Sequence, residues 1–544
     1  MPSRPCVAVS WALLLRARHC GIPEIWHSCT RADVRHDARQ NRGMVMNLKM
    51  LNGCAMKTVC RWAMLSLLTA SVAHAADTPL ADAVAKALQA SGLPASAVGM
   101  VVLPLHAKQP VLAFGAQQPM QPASTIKLVT SAVALDRLGA HHRGSTELLT
   151  DAPQVGDVLQ GDLFLRGGAD PELGLPQLWE LLAELRLKGI RDIAGQVVLD
   201  RSLFRPARTD LDVPAFDDAP EFPYNVIPDA LQLAGNLMSL ELTADDKLMT
   251  ARTVPALQGV ELVNLMTLID GPCARWADGG QWQPSTTTRS NTPQGTVVRI
   301  ELRGQFPKNC TQRQALQLMD RNDLAQRLIG HAWASLGGTW HGSVVEGTTP
   351  TAAQLLARRE SRPWGELLRA VNKRSDNPLT RLLFLSLGVA HMAAEPGQST
   401  SQLAAREVKR WFTEHDISTE GLVLDNGSGL SRSERITPWQ LARVVQEALR
   451  GTYAPELLSS LPTVGVDGFM RERWEKSAAN GRARLKPGGL RNVVSYAGMV
   501  LDANNEAVVM VIIVNHNELR RARGLVDALL EWVATSKFPQ SAAQ

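Results

Sequence analysis

The chain has 544 residues, 45% of them hydrophobic, and a formal net charge of +5. Its length leaves room for about three or four globular domains and for a large core. Residues 1–75 hold ten Lys/Arg and three Asp/Glu residues, so the remaining chain has 47 basic and 49 acidic residues and a net charge of −2. The charge therefore gives no argument for a nucleic-acid partner or an anionic membrane surface, and neither is expected.

The start of the chain has the features of a targeting segment. Residues 56–75 read MKTVCRWAMLSLLTASVAHA, in which Lys57 and Arg61 flank a short apolar run that ends in the small-residue pattern AHA. This pattern predicts a signal peptide cleaved after residue 75, and hence an exported, periplasmic protein. Residues 1–55 are expected to be an over-extended start or a disordered leader. The apolar run is short for a bilayer span, so no integral membrane span is expected in the mature chain.

Cysteine usage agrees with export. Five of the seven cysteines lie within residues 1–75, which leaves only Cys273 and Cys310 in the exported part. An even pair in an oxidising compartment predicts a disulfide. Two buried, inert thiols are the alternative, because spacing alone cannot show that the β-carbons approach. No metal-binding spacing is present, and no metal or cofactor is expected.

Residues 76–144 are predicted to be the first part of a split domain. A helix is expected over residues 80–93, followed by two antiparallel strands over 98–105 and 111–114. Apolar residues then follow the helical repeat from 124 to 138, and the glycine after them supplies a C-terminal stop.

Residues 145–345 change character and are predicted to form inserted β-rich domains. Short strands alternate there with turns rich in Pro, Gly and Asp, and an inner domain is expected at about 228–300. The predicted strands cover residues 162–166, 196–199, 238–242 and 297–302.

Residues 346–537 are predicted to complete the split domain, and 538–544 form a tail. Helical patterns dominate until strand patterns return. The predicted strands cover residues 483–486, 493–501 and 507–515, and a helix over 519–535 closes the domain.

The stretch Ser124-Thr125-Ile126-Lys127 places a hydroxyl at a helix start and an amine three residues later. Residues at this spacing project from one face about a turn apart, so a nucleophile and its base could meet there. The helix N-terminus would also favour negative charge developing at Ser124. Taken alone, the pattern more often marks an N-cap serine followed by a solvated lysine.

The stretch Ser375-Asp376-Asn377 precedes Pro378. Taken alone, it fits a plain helix start with Asn377 as the N-cap and Pro378 as the first helical residue.

A third stretch, Lys486-Pro487-Gly488-Gly489, lies at the end of a predicted edge strand. Taken alone, it is a strand ending in a turn. The three stretches occur in the order of the Ser-x-x-Lys, Ser-Asp-Asn and Lys-Thr-Gly motifs of penicillin-binding proteins and class A β-lactamases, which makes them much stronger together than singly.

The exported chain resembles the penicillin-binding D-alanyl-D-alanine carboxypeptidase/endopeptidases of the DacB type, which are class C low-molecular-mass penicillin-binding proteins. The resemblance covers nearly all of it and rests on PASTIKLVTSAVALDRLG, GDLFLRGGADPEL, VNKRSDNPLTRLL, LDNGSGLSRSERITP and VGVDGFMRERW. Ser124 and Ser375, which begin the Ser-x-x-Lys and Ser-Asp-Asn stretches, are 251 residues apart, and this separation matches the family's large insertion. The resemblance implies an α/β fold: a transpeptidase-like domain, with an antiparallel sheet flanked by helices, split by a β-rich two-domain insertion.

The resemblance also implies roles for five side chains. By position, Ser124 would be the acylating nucleophile and Lys127 its base. Ser375 would relay a proton to the leaving amine, and Asn377 would hold a substrate amide. Lys486 would supply positive charge near the base, where a neighbouring cation lowers the pKa of a lysine.

Further positions of the substrate site carry over. The oxyanion hole would use the backbone N–H groups of Ser124 and Gly489, and Gly488 would border the substrate. Asp170, in GGADP, resembles an acidic residue that approaches the amine of a diamino-acid side chain; a turn-forming Asp-Pro pair is the alternative. Arg432, in GSGLSR, resembles a basic residue beside the substrate, with a surface salt bridge as the alternative.

Pro487 and Gly489 depart from the family pattern, in which hydroxyls at both positions hold the terminal carboxylate of the substrate. Hydrogen bonds to a charged group are worth about 1.5–3 kcal/mol each, so this loss would slow acylation roughly a hundredfold to ten-thousandfold. Arg491 and Arg432 could supply a replacement contact.

The expected protein is a serine-type D-Ala-D-Ala carboxypeptidase and/or endopeptidase that acts on peptidoglycan stem peptides and is acylated by β-lactams. One alternative is a catalytically impaired peptidoglycan-binding or scaffolding protein on the same fold. A β-lactamase is disfavoured by the long insertion and by the lack of an evident deacylating carboxylate motif. The sequence leaves the oligomeric state open.

Overall fold

The computed structural model describes residues 77–278, 281–293 and 295–539. The predicted signal peptide, the residues before it and most of the predicted tail lie outside the described residues. Within these ranges, no helix has both the length and the apolar character needed to cross a bilayer.

Strands and helices are named in chain order. The strands are β1 (Val98–Pro104), β2 (Leu112–Phe114), β3 (Ser145–Thr150), β4 (Gln154–Val155), β5 (Val158–Leu159), β6 (Leu163–Gly168), β7 (Asp192–Ile193), β8 (Val197–Asp200), β9 (Met238–Ala244), β10 (Met249–Thr253), β11 (Val260–Asn264), β12 (Thr267–Ile269), β13 (Trp282–Thr292), β14 (Gly295–Pro307), β15 (Cys310–Leu316), β16 (Thr339–Trp340), β17 (Val344–Gly347), β18 (Gln354–Glu360), β19 (Ala483–Leu490), β20 (Val493–Leu501) and β21 (Ala507–Asn515). The helices are α1 (Asp82–Ser91), α2 (Lys127–Leu138), α3 (Leu175–Leu187), α4 (Arg321–Ser335), α5 (Trp364–Lys373), α6 (Asn377–Val389), α7 (Thr400–Glu414), α8 (Pro438–Arg450), α9 (Ala454–Ser460) and α10 (Arg523–Thr535).

A five-stranded antiparallel sheet in the order β19-β20-β21-β1-β2 forms the centre of the split domain. Helices cover both of its faces, and successive side chains of a strand point to opposite faces. On β1, Val101 shares a buried cluster with Val129 of α2, whereas Val102 shares one with Leu525 of α10. Coverage of both faces explains why β1 and β21 are apolar along nearly their whole length.

The strands predicted over 493–501 and 507–515 are confirmed residue for residue as β20 and β21. Strand β19 continues past its predicted end at 486 to Leu490, because its pairing with β20 runs on through the Pro487–Tyr496 pair. Since β19 is an edge strand, the missing N–H of Pro487 interrupts no interior ladder.

The inserted region contains four further sheets. The outer two have the orders β17-β8-β6-β3-β18 and β16-β7-β5-β4. Because β18 pairs with β3, the first of them extends to Glu360, past the predicted boundary at 345. The inner two have the orders β10-β9-β15 and β11-β14-β12, with β13 paired to β14. Their strands span residues 238–316, so the last of them ends 16 residues after the predicted end of the inner domain at 300.

A disulfide joins Cys273 to Cys310 at the start of β15, with a Cα–Cα distance of 5.4 Å. The two residues are 37 positions apart, so the bridge closes a loop that contains β13 and β14. It therefore braces the inner part of the insertion.

The loop between β8 and β9 is held by a buried carboxylate, Asp229. Its Oδ2 accepts a hydrogen bond from Nε of Arg201 at 2.9 Å and also contacts the guanidinium of Arg321 on α4. Its Oδ1 accepts from the backbone N–H of Leu231 at 2.8 Å. A fully buried carboxylate is stable only when charged and hydrogen-bonding partners surround it, as they do here. This cluster fixes the loop that carries Tyr224 toward the candidate site.

Candidate active site

Ser124 lies in a 3-10 turn, Ala123–Ile126, that leads directly into α2. The preceding Ala123 has a φ of +48°, which is uncommon for a residue with a side chain and occurs most often where the surroundings enforce it. Ser124 is partly exposed, whereas Lys127 is fully buried. The Lys127 Nζ atom lies 3.1 Å from the Ser124 Oγ atom. The partly exposed Ser124 hydroxyl therefore lies next to the buried Lys127 amine, and the two groups meet as the sequence predicts.

The Lys127 amine has two further partners, the side-chain oxygen of Asn377 at 2.7 Å and the backbone carbonyl of Ser428. Both of these oxygens can only accept hydrogen bonds, so the amine donates to both. An ammonium would donate its third hydrogen to Ser124, whereas a neutral amine has a lone pair left at that place. The geometry thus aims the lone pair of a neutral Lys127 at the Ser124 hydroxyl.

Burial lowers the pKa of Lys127 to about 7, with Arg381 adding repulsion. The carboxylates of Glu434 and Asp376 oppose this shift, because negative charge stabilises the ammonium. The main cause of the lowered Lys127 pKa is therefore removal from water, and not a neighbouring Lys486 cation as the resemblance implied. A lysine with a pKa near 7 can act as a base at neutral pH.

Lys486 and Ser375 form a second amine–hydroxyl pair, with 2.9 Å between Nζ and Oγ. The Lys486 amine also donates to the carbonyl of Pro487 at 2.8 Å. Burial and the nearby Lys127 hold the pKa of Lys486 well below its usual range. Ser375 has a φ of +56°, which, as at Ala123, is uncommon for a residue with a side chain.

Asn377 connects the two pairs, because it is two residues from Ser375 and contacts Lys127. The helix cap differs from the plain helix start considered above. The carboxylate of Asp376 caps α6 by accepting from the N–H of Leu379 at 2.9 Å, and Asn377 is the first helical residue. Freed from capping, the Asn377 amide also donates to the carbonyl of Tyr224 at 3.1 Å. The structure thus brings all five predicted side chains of the catalytic set into one linked cluster.

Three contacts of this cluster could not be found from side-chain motifs. The carbonyl of Tyr224 belongs to the insertion, and the carbonyl of Ser428 belongs to a turn with the sequence NGSG. Glu434 is fully buried and accepts from the backbone N–H groups of Gly427 at 2.7 Å and Gly429 at 3.0 Å. Its carboxylate therefore shapes the turn that supplies the Ser428 carbonyl. The sequence signals for this turn are its two closely spaced glycines and its place in the LDNGSGLSRSERITP segment.

Glycines allow the backbone to close around Ser124. A β-carbon on Gly488 would lie 2.3 Å from the Ser495 Oγ atom and 2.9 Å from the Ser124 nitrogen. A β-carbon on Gly429, whose φ is +85°, would lie 2.7 Å from the same nitrogen. Gly489 is exposed, and a β-carbon there would meet nothing within 4 Å. Gly488 thus packs edge strand β19 against the turn of Ser124, while Gly489 faces open space.

The two arginines predicted to bind the substrate are both exposed. Arg432 donates to the carbonyl of Phe216 at 2.9 Å, and its guanidinium lies 4.9 Å from the centre of the Phe216 ring. It follows Ser431, whose carbonyl accepts from the amide of Gln121 at 2.8 Å. Arg491 lies in the turn between β19 and β20, directly after the altered motif.

The side chain of Asp170, predicted to approach a substrate amine, lies among other residues of the insertion, and its contact with a substrate stays a prediction. Its side chain is almost completely buried, and Oδ2 is already bonded to Arg359 and to the Thr146 hydroxyl. Its Oδ1 accepts from the backbone N–H of Glu172 at 2.9 Å. Both oxygens are therefore engaged within the insertion, where Asp170 contacts β3, β18 and the turn after β6.

Known proteins are similar to this chain over most of its length. Residues 80–536 match the D-Ala-D-Ala carboxypeptidase 3 (S13) family. The chain is 26% identical over 430 residues to the D-alanyl-D-alanine carboxypeptidase DacB of Haemophilus influenzae, which covers 77% of this chain and 85% of the relative. It is 27% identical over 451 residues to the D-alanyl-D-alanine carboxypeptidase of an Actinomadura species, which covers 81% of this chain and 82% of the relative.

The fold is also similar to solved structures. The crystal structure of penicillin binding protein 4 (dacB) from Haemophilus influenzae has a TM-score of 0.68 at 22% identity and covers 84% of this chain and 100% of that one. A structure of the same protein in complex with a β-lactam has a TM-score of 0.64, again at 22% identity, and covers 83% and 99% of the two chains. The α/β fold class predicted from the sequence is confirmed by these matches. Since the family match spans most of the chain, this protein belongs to the D-Ala-D-Ala carboxypeptidase 3 (S13) family and is a serine-type peptidase.

Proposed function

We propose that this protein is a serine-acylating D-Ala-D-Ala carboxypeptidase, endopeptidase or both, which acts on peptidoglycan stem peptides through an acyl-enzyme. The observation that carries the proposal is the 3.1 Å contact between the buried Lys127 amine and the partly exposed Ser124 hydroxyl. Membership of the family supports the carboxypeptidase activity. The contacts around Lys127 support the mechanism.

In the first step, neutral Lys127 takes the proton of the Ser124 hydroxyl, and Oγ attacks the carbonyl carbon of the penultimate D-alanine. The carbonyl oxygen becomes negatively charged in the tetrahedral intermediate. The backbone N–H groups of Ser124 and Gly489 are proposed to stabilise it, since these donors do not depend on side-chain identity. The close packing of β19 against the Ser124 turn supports this role.

In the second step, the carbon–nitrogen bond of the scissile amide breaks and the leaving nitrogen gains a proton. Ser375 is proposed to relay that proton, so the proton removed from Ser124 leaves on the product amine. The Lys486 contact at 2.9 Å holds the Ser375 hydroxyl in place for this transfer. Water then attacks the acyl carbonyl, releases the shortened peptide and restores Ser124.

Recognition of the substrate carboxylate is proposed to differ from that of relatives with a Lys-Thr-Gly motif. Pro487 and Gly489 carry no hydroxyl, so Arg491 and Arg432 are proposed to provide the charged contact. Turnover is therefore expected to be weakened rather than abolished. The protein is further proposed to be exported to the periplasm and to be acylated at Ser124 by β-lactams, as the β-lactam complex of the Haemophilus influenzae protein supports.

Labelling with a fluorescent penicillin, followed by peptide mapping, tests the site. The expected result is a covalent label on Ser124 that disappears in Ser124→Ala. A folded wild-type chain that takes up no label would overturn the proposed mechanism. Release of D-alanine from a stem pentapeptide and from a cross-linked dimer then separates carboxypeptidase from endopeptidase action.

Because Pro487 and Gly489 carry no hydroxyl, the second candidate function is that of a catalytically impaired protein that binds peptidoglycan. Family membership does not favour it. Binding of peptidoglycan fragments that is unchanged in Ser124→Ala, together with no release of D-alanine by the wild-type chain, would select this function instead. Release of D-alanine that depends on Ser124 would exclude it.

A further inference from the structure

A cavity lies on the face of the central sheet that points away from Ser124. Its volume is about 380 Å³, and Val494 of β20 and Val526 of α10 contribute to its wall. The neighbouring Ser495 side chain donates to the Pro122 carbonyl at 2.6 Å and therefore points to the Ser124 side. Because side chains alternate along a strand, Val494 points the other way. The cavity is thus separate from the catalytic cluster.

Three arginines surround this cavity: Arg473, Arg520 and Arg523. Arg473 is held in place, with its guanidinium 4.0 Å from the Trp474 ring centre and 3.6 Å from the carboxylate of Asp527. Arg520 and Arg523 are exposed, and neither guanidinium forms a hydrogen bond or an ion pair with any residue of the described ranges. The cavity therefore carries positive charge that the surrounding carboxylates do not neutralise.

The placement of these charges is unfavourable for the chain alone. Arg520 lies in the 3-10 turn that leads into α10, and Arg523 is the first residue of that helix. The N-terminus of a helix carries partial positive charge, so cations there are destabilising. Arg520 and Arg523 are also three positions apart, where like charges face each other and repel. A bound anion would relieve both repulsions and would gain from the helix N-terminus.

The rest of the wall is apolar. Val494, Leu519, Ala522 and Val526 line it. Planar guanidinium groups bind phosphate and carboxylate oxygens with paired hydrogen bonds. An apolar floor below such groups suits a ligand that has a hydrocarbon portion next to its charge. The volume is at the lower end of the range for small-molecule sites, about 300–1,000 Å³, so the bound portion is small.

We propose that this cavity is a binding site for the phosphate group and adjoining hydrocarbon of an anionic amphiphile. The phosphate contacts Arg520, Arg523 and Arg473, and the hydrocarbon lies against Val494 and Val526. Two sources share this chemistry, a free alkyl phosphate and the headgroup region of an anionic phospholipid. The proposal does not depend on the activity at Ser124.

Calorimetric titration of the full chain with hexyl phosphate and with inorganic phosphate tests the site. Hexyl phosphate is expected to bind at least about tenfold more tightly than inorganic phosphate, because only it fills the apolar floor. The double substitution Arg520→Gln and Arg523→Gln is expected to weaken hexyl phosphate binding about tenfold or more. Arg521→Gln is the matched control, because Arg521 is in the same turn but pairs with Glu518 at 2.9 Å and does not line the cavity.

Equal binding by the wild type and the double variant, or an equal loss in Arg521→Gln, would overturn the proposal. Circular dichroism spectra and melting temperatures that match the wild type confirm that both variants are folded, without reference to the activity at Ser124. Sedimentation with phosphatidylcholine vesicles, with and without phosphatidylglycerol, then identifies the source. Binding to the anionic vesicles that is lost in the double variant and displaced by hexyl phosphate indicates the lipid. Hexyl phosphate binding without vesicle binding indicates a soluble phosphate ester.

Discussion

The Oγ atom of Ser375 and the Nζ atom of Lys486 lie 2.9 Å apart, although 111 positions separate the two residues in the chain. Ser375 precedes α6, and Lys486 lies on the edge strand β19. On the other side of the cluster, Lys127 and Ser124 form a pair with a very similar separation of 3.1 Å. Two hydroxyls therefore each contact a buried amine. In the proposed mechanism, the Ser124–Lys127 pair starts acylation and the Ser375–Lys486 pair delivers the proton to the leaving amine.

This arrangement predicts that Ser375→Ala slows release of the leaving amine. D-alanine release from a stem pentapeptide is expected to fall by about 10²–10⁴-fold, the usual effect of losing a group that transfers a proton in the transition state. The control is Ser459→Ala, because the Ser459 hydroxyl only donates to a carbonyl of its own helix. A Ser375→Ala variant that releases D-alanine as fast as Ser459→Ala would show that the proton comes from elsewhere.

Burial of Lys127 predicts a pH dependence of acylation. Its pKa of about 7 means that the amine gains a proton as the pH falls below neutral and can then no longer take one from Ser124. The acylation rate with a fluorescent penicillin is therefore expected to fall about tenfold per pH unit below 7 and to level off above it. Measurement between about pH 5 and 9 covers both limbs. A flat profile would contradict the assignment of Lys127 as the base, as would a rate that survives in Lys127→Met.

The same burial links stability to pH. The folded-state pKa values of Lys127 and Lys486 are lowered from 10.5, so between about 7 and 10.5 the unfolded chain binds more protons than the folded one. The contribution of these lysines to the free energy of unfolding therefore rises with pH across this window. Lys127→Met should make that part of the stability profile less steep, because only Lys486 then contributes, whereas Lys476→Met, at an exposed lysine, should leave it unchanged.

The disulfide predicts a stability effect without an effect on chemistry. Cys273 and Cys310 are 37 positions apart, and opening a loop of this size costs roughly 3–4 kcal/mol in the chain-entropy account. The double substitution Cys273→Ser and Cys310→Ser is expected to lower the melting temperature of the insertion. Penicillin labelling of Ser124 at room temperature should stay the same, because the bridge lies in the inner sheets. Loss of labelling with an unchanged melting temperature would contradict this separation of roles.

Much of the split domain could be predicted because its signals are local. Strand β21 is a run of apolar and β-branched residues, and α2 follows a 3.6-residue repeat, so each element is encoded within its own segment. The three motifs carry hydroxyls, amines and an amide whose side chains reach the cluster directly. The motifs therefore identify these residues without knowledge of the distances between their side chains.

The remaining contacts could not be predicted because backbone atoms or distant partners make them. The carbonyls of Ser428 and Tyr224 hold Lys127 and Asn377, and a carbonyl has no side-chain signature. The contacts of the Asp170 side chain could not be predicted for a related reason. Its partner Arg359 is 189 positions away on β18, and nothing in the local GGADP pattern indicates that pairing. Where a residue acts through a partner far along the chain, only the fold reveals the partner.

The open surroundings of Gly489 predict that substrate binding can be strengthened. A β-carbon there would meet no atom within 4 Å, so Gly489→Ser fits without displacing a neighbour. Its hydroxyl would restore the donor that the family resemblance implies at this position for the substrate carboxylate. One hydrogen bond to a charged group is worth about 1.5–3 kcal/mol, so kcat/KM for D-alanine release is expected to rise about tenfold or more.

A pentapeptide with an amidated C-terminus is the matched control for this substitution. It has no C-terminal carboxylate, so its kcat/KM should not change between the wild type and Gly489→Ser. Gly488→Ser is the opposite control in the protein, because a β-carbon at that position would lie 2.3 Å from the Ser495 Oγ atom and 2.9 Å from the Ser124 nitrogen, and activity should be lost. An equal gain on both peptides would show that the added hydroxyl acts on the backbone and not on the carboxylate. Carboxylate recognition would then be assigned to Arg491 and Arg432 alone, with Gly489 serving only through its N–H.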